Sequence, residues 1–177
     1  MPPRKFIGVD PGASGGLAAI SVADNAVAIL TQPTADMELK DIWEWFVWES
    51  NSGSSSDWKY FAAIEKVSGY VGVNQPGSFM FNFGASFGRL QAFLVAAAIP
   101  FEEVTPQRWQ KELGIPSRDK EKLSLQGIHA ERESKQDHKA KLQRFAQNLF
   151  PRHRITLATA DAVCLAEWCR RKYGIQE

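Results

Sequence analysis

Three carboxylates in this chain stand where they could act together on a charged ligand. Asp10 ends an N-terminal apolar run and precedes Pro11-Gly12, Glu65 ends a later apolar run, and Asp161 opens a C-terminal helical pattern. Crowded carboxylates repel one another unless a cation lies among them. Hard oxygen ligands suit Mg²⁺ or Mn²⁺, and two such ions can promote phosphodiester hydrolysis. The three acids therefore predict a metal-dependent hydrolytic site.

Each acid taken alone also fits a structural role. Asp10 before Pro-Gly is a common turn former, and Glu65 could pair with Lys66 or with a distant arginine. Asp161 could simply favour the dipole at the start of its helix. The three acids in this order are more specific for a site than any one of them alone.

Hydrophobic patterns predict the elements that would position these acids. Strands are predicted at 5–10, 16–23, 26–31, 60–64 and 101–104, and helices at 39–47, 84–98, 105–113, 134–149 and from 158 onward. This order predicts an α/β fold with a five-stranded mixed sheet, its first three strands antiparallel, and helices on both faces. The first and fourth strands would lie adjacent and parallel, so Asp10 and Glu65 would emerge at one edge.

Short motifs surround the acids and continue through the chain. They are Ile7-Gly8-Val9-Asp10-Pro11-Gly12 with Gly15-Gly16, Ala63-Ile64-Glu65-Lys66-Val67, Val104-Thr105-Pro106 with Trp109-Gln110-Lys111, Lys139 leading to Leu149-Phe150-Pro151, and Ala160-Asp161-Ala162-Val163 with Ala166. In this order and spacing, over nearly the whole chain, they resemble the RuvC-type Holliday junction resolvases of the RNase H-like superfamily. The resemblance is to the branch seen in phages and organelles.

The resemblance implies an RNase H-like nuclease that binds four-way DNA junctions as a homodimer and nicks two opposing strands symmetrically. It implies two Mg²⁺ ions, with Mn²⁺ as a substitute. By motif position, Asp10, Glu65 and Asp161 would be catalytic metal ligands, and Lys139 would approach the scissile phosphate. Since no apolar run is long enough to span a membrane, we expect a cytoplasmic protein, in the host cytoplasm if a phage encodes it.

The chain departs from this family at one position. The family usually carries a fourth acid or a histidine three or four residues before the last aspartate, where this chain has Leu157 and Ala158. The identity of a fourth ligand is therefore open, with Asp137 and His138 as candidates. The departure puts full catalytic strength in doubt more than it does the fold.

Positive charge is concentrated in one part of the chain. The net charge is +1, but residues 105–154 hold twelve Lys and Arg against six Asp and Glu, a local +6. This asymmetry favours a polyanion partner or a solvated helical face. The predicted DNA-binding residues are Lys135, Lys139, Lys141, Arg144, Arg118, Lys120, Lys122, Tyr70 and Phe79.

Two other parts of the chain are predicted to contact DNA, besides the basic residues of the helix predicted at 134–149. Residues 114–138 are expected to form a mobile loop facing DNA, the alternative being an ordinary charged surface loop. Tyr70 and Phe79 are candidates to wedge into a junction, although Phe79, Phe81 and Phe83 could instead face the core or a dimer partner.

Other functions remain open for what is expected to be a single domain over 1–177. A sugar or acetate kinase-like ATPase also begins with a phosphate-binding hairpin, but it needs two lobes, for which 177 residues are too few. A nuclease of the same fold acting on forks or flaps, and a catalytically weak junction-binding protein, both fit the motifs.

Overall fold

The structure of this chain is a computed structural model, and it describes residues 4–12, 14–23, 26–34, 37–51, 59–66, 77–116 and 127–174. The strands are β1 (Arg4–Val9), β2 (Gly16–Ala23), β3 (Ala26–Pro33), β4 (Lys59–Glu65) and β5 (Phe101–Val104). The helices are α1 (Leu39–Asn51), α2 (Gly77–Ala96), α3 (Pro106–Glu112), α4 (Gly127–Leu149) and α5 (Ala160–Tyr173). None of the helices in these ranges combines the length and the apolar character needed to cross a membrane.

The strands form one mixed sheet in the order β3-β2-β1-β4-β5. The pairs β1–β2 and β2–β3 are antiparallel, whereas β1–β4 and β4–β5 are parallel. In the β1–β4 pair Val9 lies opposite Ile64. Asp10 and Glu65 directly follow Val9 and Ile64, and they therefore lie at the same end of the sheet. The predicted antiparallel meander and the parallel pairing of the first and fourth strands are confirmed.

Helices cover both faces of the sheet, because successive apolar side chains of β1 and β4 lie on opposite faces. Ile7 and Ile64 belong to a buried cluster with residues of α1 and α2. Phe6 and Ala63 belong to a second cluster with residues of α3, α4 and α5. This arrangement makes β1 buried along its whole length, as a central strand with two covered faces must be.

Gly8 lets helix α5 lie directly against β1. A Cβ atom at Gly8 would stand 1.9 Å from the Ala162 carbonyl oxygen and 2.5 Å from the Ala166 nitrogen. Any side chain at this position would push the helix backbone away from the sheet. Since Asp161 directly precedes Ala162, this close contact also fixes how near Asp161 lies to the end of β1.

Helix α2 begins earlier than the sequence pattern predicts. It starts at Gly77 instead of about residue 84, so Phe79 lies in its first turn and not in a loop. The Phe79 and Phe83 rings, one helical turn apart, stack with their centroids 6.2 Å apart. The alternation of Phe79, Phe81 and Phe83 resembled an extended pattern, but the i,i+4 contact stabilises a helix. Tyr70 lies outside the described residues.

The prediction of a loop over 114–138 is wrong for its second half. Residues 127–138 are helical and form the first part of α4. Ala, Glu, Lys, Gln and Arg make up half of this segment, and all are good helix formers. Charge without a strong apolar stripe favours a loop in the sequence pattern, but buried Leu142 and Ala146 farther along anchor the helix. Residues 117–126 lie outside the described residues.

Candidate active site

A tight turn after β1 holds the Asp10 carboxylate. The Asp10 N–H donates to the Gly16 carbonyl oxygen over 3.0 Å, and the Gly12 N–H donates to Asp10 Oδ1 over 3.0 Å. A Cβ atom at Gly15 would stand 2.2 Å from the Asp10 carbonyl oxygen, so only glycine fits there. The turn thus orients the carboxylate through backbone contacts.

Glu65 is held at the end of β4 by a residue far away in sequence. The indole Nε1–H of Trp109 donates to Glu65 Oε2 over 3.2 Å. The next residue, Lys66, donates its backbone N–H to the Val104 carbonyl oxygen over 2.8 Å, which extends the β4–β5 pairing past Glu65. Trp109 belongs to one of the motifs that carry the resemblance, but the motif predicts no role for it. The available signal was a lone large apolar residue in a short polar helix that follows β5.

Asp161 lies in the first turn of α5, where a carboxylate is favourable for the helix dipole. The turn before the helix is closed by threonines, since the Thr156 N–H donates to Thr159 Oγ1 over 3.1 Å. The helix begins at Ala160, two residues after the predicted start. All residues from Ala160 to Cys169 except Asp161 are fully buried, so the half-buried Asp161 is the exception on the first part of this helix.

The pKa of each of the three acids is raised. Burial, and then the charges of Asp10 and Asp161, raise the pKa of Glu65 to about 8. Burial and the charge of Asp10 raise the pKa of Asp161 to about 7. Burial also raises the pKa of Asp10, while the Gly12 N–H and Lys139 oppose that rise. The acids therefore form one electrostatic cluster with too little positive charge to balance it.

Lys139 is the cation that reaches this cluster from α4. Its charge lowers the pKa of Asp10, Glu65 and Asp161 alike. The Lys139 side chain is exposed, as are those of Lys141 and Arg144 on the same helix. The structure thus brings Lys139 near the three acids, and it leaves Lys141 and Arg144 on the surface beyond them.

The acids fit a divalent cation by ligand type, because carboxylate oxygens are the ligands that Mg²⁺ and Mn²⁺ prefer. Their mutual repulsion is what such an ion would relieve. Among the described residues, no three His, Cys, Asp or Glu side chains are arranged closely enough to hold one metal ion together. Coordination of one ion by all three acids would therefore require them to draw together.

Both candidates for a fourth ligand, Asp137 and His138, lie in α4, and His138 is half-buried. Leu157 is 48% exposed in the turn before α5, and Asp137 is exposed on α4. His153 is engaged elsewhere, since its Nε2 lies 3.1 Å from Thr31 Oγ1 and is hydrogen-bonded to it. Glu167 is buried and bonded to Arg170 and Arg171.

The structure tests only part of the predicted DNA-binding set. Arg118, Lys120, Lys122 and Tyr70 lie outside the described residues. Lys135 lies in α4, but its side chain is not among those described. Phe79 is 44% exposed, in a helix instead of the expected loop. Their contacts with DNA stay predictions.

Comparison with known proteins supports the fold. No family model matches the chain, and no curated protein does so either. Among solved structures, the chain is similar to T. thermophilus RuvC in complex with Holliday junction substrate, with 14% identity and a TM-score of 0.58 over 98% of this chain and 95% of that one. It is also similar to the Thermus thermophilus RuvC structure, with 14% identity and a TM-score of 0.55 over 96% of each chain. At this identity the likeness is one of fold: the chain has a RuvC-like α/β fold.

Proposed function

We propose that this chain is a metal-dependent endonuclease that resolves four-way DNA junctions by paired symmetric phosphodiester hydrolysis. One observation carries the proposal: Asp10, Glu65 and Asp161, from three distant parts of the chain, converge at one end of the sheet together with Lys139. The RuvC-like fold supports it, and one of the similar structures is a complex with a Holliday junction.

The proposed metal ligands are Asp10, Glu65 and Asp161. A bound Mg²⁺ pair, or Mn²⁺ in its place, would supply an activated water and stabilise the leaving oxygen. The role of the chain is to hold the three carboxylates together at the phosphate, where a bound cation would favour their ionised form. Lys139, exposed beside these acids, would contact the scissile phosphate and offset its charge as the bond breaks.

The proposed nucleic-acid surface continues along α4. Lys139, Lys141 and Arg144 expose positive charge on this helix, which suits a phosphate backbone. Lys135 and the basic residues of 117–126 add further positive charge in the part of the sequence before Lys139. These contacts would supply most of the affinity without reading base sequence, as recognition of a branched structure requires.

A homodimer is proposed because a junction with two equivalent scissile strands is matched by a two-fold enzyme. Helix α2 offers an exposed apolar surface that includes Phe81, which is 76% exposed, and Val95, which is 68% exposed. Sedimentation of the purified protein would give its mass in solution, and a monomer at every concentration would contradict the dimer.

A second candidate is a junction-binding protein with weak chemistry. It is favoured by Leu157 and Ala158 at the position where the resembled family carries an acid or histidine. In this case the cluster would bind a cation poorly, and the basic surface of α4 would still bind branched DNA.

The test is a cleavage assay on a labelled synthetic four-way junction and a matched linear duplex, with Mg²⁺, Mn²⁺ or a chelator. The proposal predicts paired nicks on the junction alone, lost with chelator. Stronger cleavage of forks or flaps would change the substrate class. Tight junction binding without nicks under either metal would favour the second candidate and contradict the first.

A further inference from the structure

Trp109 is buried between the sheet and the helices that cover one of its faces. Its side chain has no exposed surface, and it belongs to the same apolar cluster as Ala63 and Ala162, the neighbours of the site on β4 and α5. Helix α3 holds its backbone, since the Trp109 N–H donates to the Thr105 carbonyl oxygen. A ring packed in this way has one orientation available to it.

The polar edge of this ring is directed at the candidate site. Trp109 Nε1 lies 3.2 Å from Glu65 Oε2, and among the described residues it is the hydrogen-bond donor to the Glu65 side chain. An indole N–H donates one bond, accepts none and does not titrate. It therefore occupies one direction at one carboxylate oxygen and leaves the remaining lone pairs of Glu65 for a ligand.

The same chemical pair occurs a second time away from the site. Trp168 is also buried, and its Nε1–H donates to Glu112 Oε2 over 2.6 Å. Glu112, however, is an exposed residue that also accepts a bond from Arg108. The two pairs have the same donor and acceptor types, but only the Trp109 pair includes an acid of the proposed cluster.

We propose that Trp109 is a positioning residue that fixes the Glu65 carboxylate for a divalent cation. This inference rests on the proposed function, because Glu65 is taken there as a metal ligand. Partners that orient metal ligands in this way typically contribute 10–100-fold to metal affinity. The bond joins residues 44 apart in sequence, so the orientation depends on the correct docking of α3.

The test measures Mn²⁺ binding by calorimetry in the absence of DNA. Trp109→Phe, which keeps a ring but removes the N–H, is expected to weaken Mn²⁺ binding by about tenfold. Trp168→Phe is the matched control and should leave Mn²⁺ affinity unchanged. Equal affinity in wild type and Trp109→Phe, or an equal loss in both variants, would overturn the inference.

Trp109→Gln separates donation from packing. Glutamine loses the ring but retains a side-chain N–H that does not titrate, so it should bind Mn²⁺ more tightly than Trp109→Phe while being less stable to heat. A purely structural role would give the opposite ranking in affinity. If neither variant folds, the indole ¹⁵N–¹H signals of the wild-type protein serve instead: addition of Mg²⁺ should shift the Trp109 signal and leave the Trp168 signal in place.

The outcomes also separate this inference from the proposed function. Wild-type protein that binds no Mn²⁺ overturns both. Wild-type protein that binds Mn²⁺ and cleaves junctions, with unchanged affinity in Trp109→Phe, overturns the inference alone.

Discussion

Two groups of glutamate and aspartate side chains in this molecule have opposite electrostatic surroundings. The first group is the cluster of Asp10, Glu65 and Asp161, where the pKa of each acid is raised. The second group comprises Glu102, Glu112 and Glu167, where the pKa of each acid is lowered. Both groups lie in the same sheet and its covering helices. The difference in pKa therefore reflects which residues surround each acid.

Burial and the local cations together account for the difference. Arg108 forms ion pairs with Glu102 and Glu112 at 2.8 and 3.0 Å, and Lys172 adds a further ion pair to Glu102. Buried Glu167 is matched by Arg170 and Arg171 at 2.7 and 2.8 Å. Among the described residues, Lys139 is the cation that acts on the three carboxylates of the first group.

Burial is the largest cause of the raised pKa of each acid in the first group. In the second group hydrogen bonds and cations outweigh burial, even at Glu167, whose side chain has almost no exposed surface. A tryptophan N–H donates to one acid in each group, Trp109 to Glu65 and Trp168 to Glu112. Under the proposed function, the acids with several local cations serve the structure, whereas the three acids near Lys139 are the site for an external cation.

The largest expected effect comes from neutralising the first group. Asp10→Asn, Glu65→Gln and Asp161→Asn should each lower junction cleavage by at least about 100-fold, more than the loss of an outer partner costs. Junction binding should persist, because it depends on the basic surface. Each variant should also be at least as stable to heat as wild type without metal, since a repulsion is removed.

The matched control for these variants is Glu112→Gln in the second group. It should lower thermal stability slightly and leave cleavage unchanged, because it removes an ion pair at the surface. Retained cleavage in all three first-group variants would contradict the site assignment.

The next largest effect is expected at the contact that brings Asp161 to the cluster. Gly8→Ala places a Cβ atom against the Ala162 carbonyl oxygen, which should displace α5 and destabilise the fold by about 1–3 kcal/mol. Cleavage by the folded fraction should fall as well, because Asp161 moves away from Asp10. Denaturant unfolding and the junction assay check both effects.

Gly84→Ala on α2 is the control for a glycine substitution. A Cβ atom there meets nothing within 4 Å, so helix propensity predicts a gain of about 0.5–1 kcal/mol in the free energy of unfolding. A stable, fully active Gly8→Ala protein would show that the close approach of α5 is not required.

The two groups also predict opposite dependences of stability on pH. A carboxyl whose pKa is raised in the folded state stabilises the fold below its unfolded pKa, and this stability is lost as the pH rises through the folded pKa. Between about pH 4.5 and 8, metal-free protein should therefore lose on the order of 1 kcal/mol per pH unit, with Glu65 and its pKa of about 8 as the main source.

The second group acts in the other direction. Its lowered pKa values provide stability above about pH 4.5, and this stability is lost as the pH falls through them. The midpoint of thermal unfolding, measured from pH 3 to 8.5, should rise up to about pH 4.5 and fall above it. Asp10→Asn should reduce only the fall above pH 4.5. A flat profile from pH 5 to 8 would contradict the raised pKa values.

The smallest effect is expected for Lys139, the cation near the first group. Lys139→Ala should slow cleavage of bound junction by about tenfold, the rate change for roughly 1.4 kcal/mol of transition-state stabilisation. Binding should change less, because one phosphate contact is a small part of the total. Lys141→Ala, on the same helix but without influence on the acids, should leave the single-turnover rate of bound junction unchanged, and equal rates in both variants would contradict the special position of Lys139.

The sequence was sufficient for the strands that carry Asp10 and Glu65, because short apolar runs and their order limit the possible sheets. It also located Asp161, since the helical pattern of α5 is strong. It could not predict the bond from Trp109 to Glu65, because a side-chain contact between distant residues depends on how α3 docks. The start of α4 was missed because charge without an apolar stripe looks the same in a loop and in an exposed helix.

The central claim, that the acids of the first group bind a divalent cation, is tested most directly by calorimetric titration of Mn²⁺ into wild type, Glu65→Gln and Glu112→Gln at pH 8. The account predicts saturable binding to wild type and to Glu112→Gln, and a loss of at least about tenfold in affinity for Glu65→Gln. Identical binding by all three proteins, or no saturable binding to wild type, would contradict it.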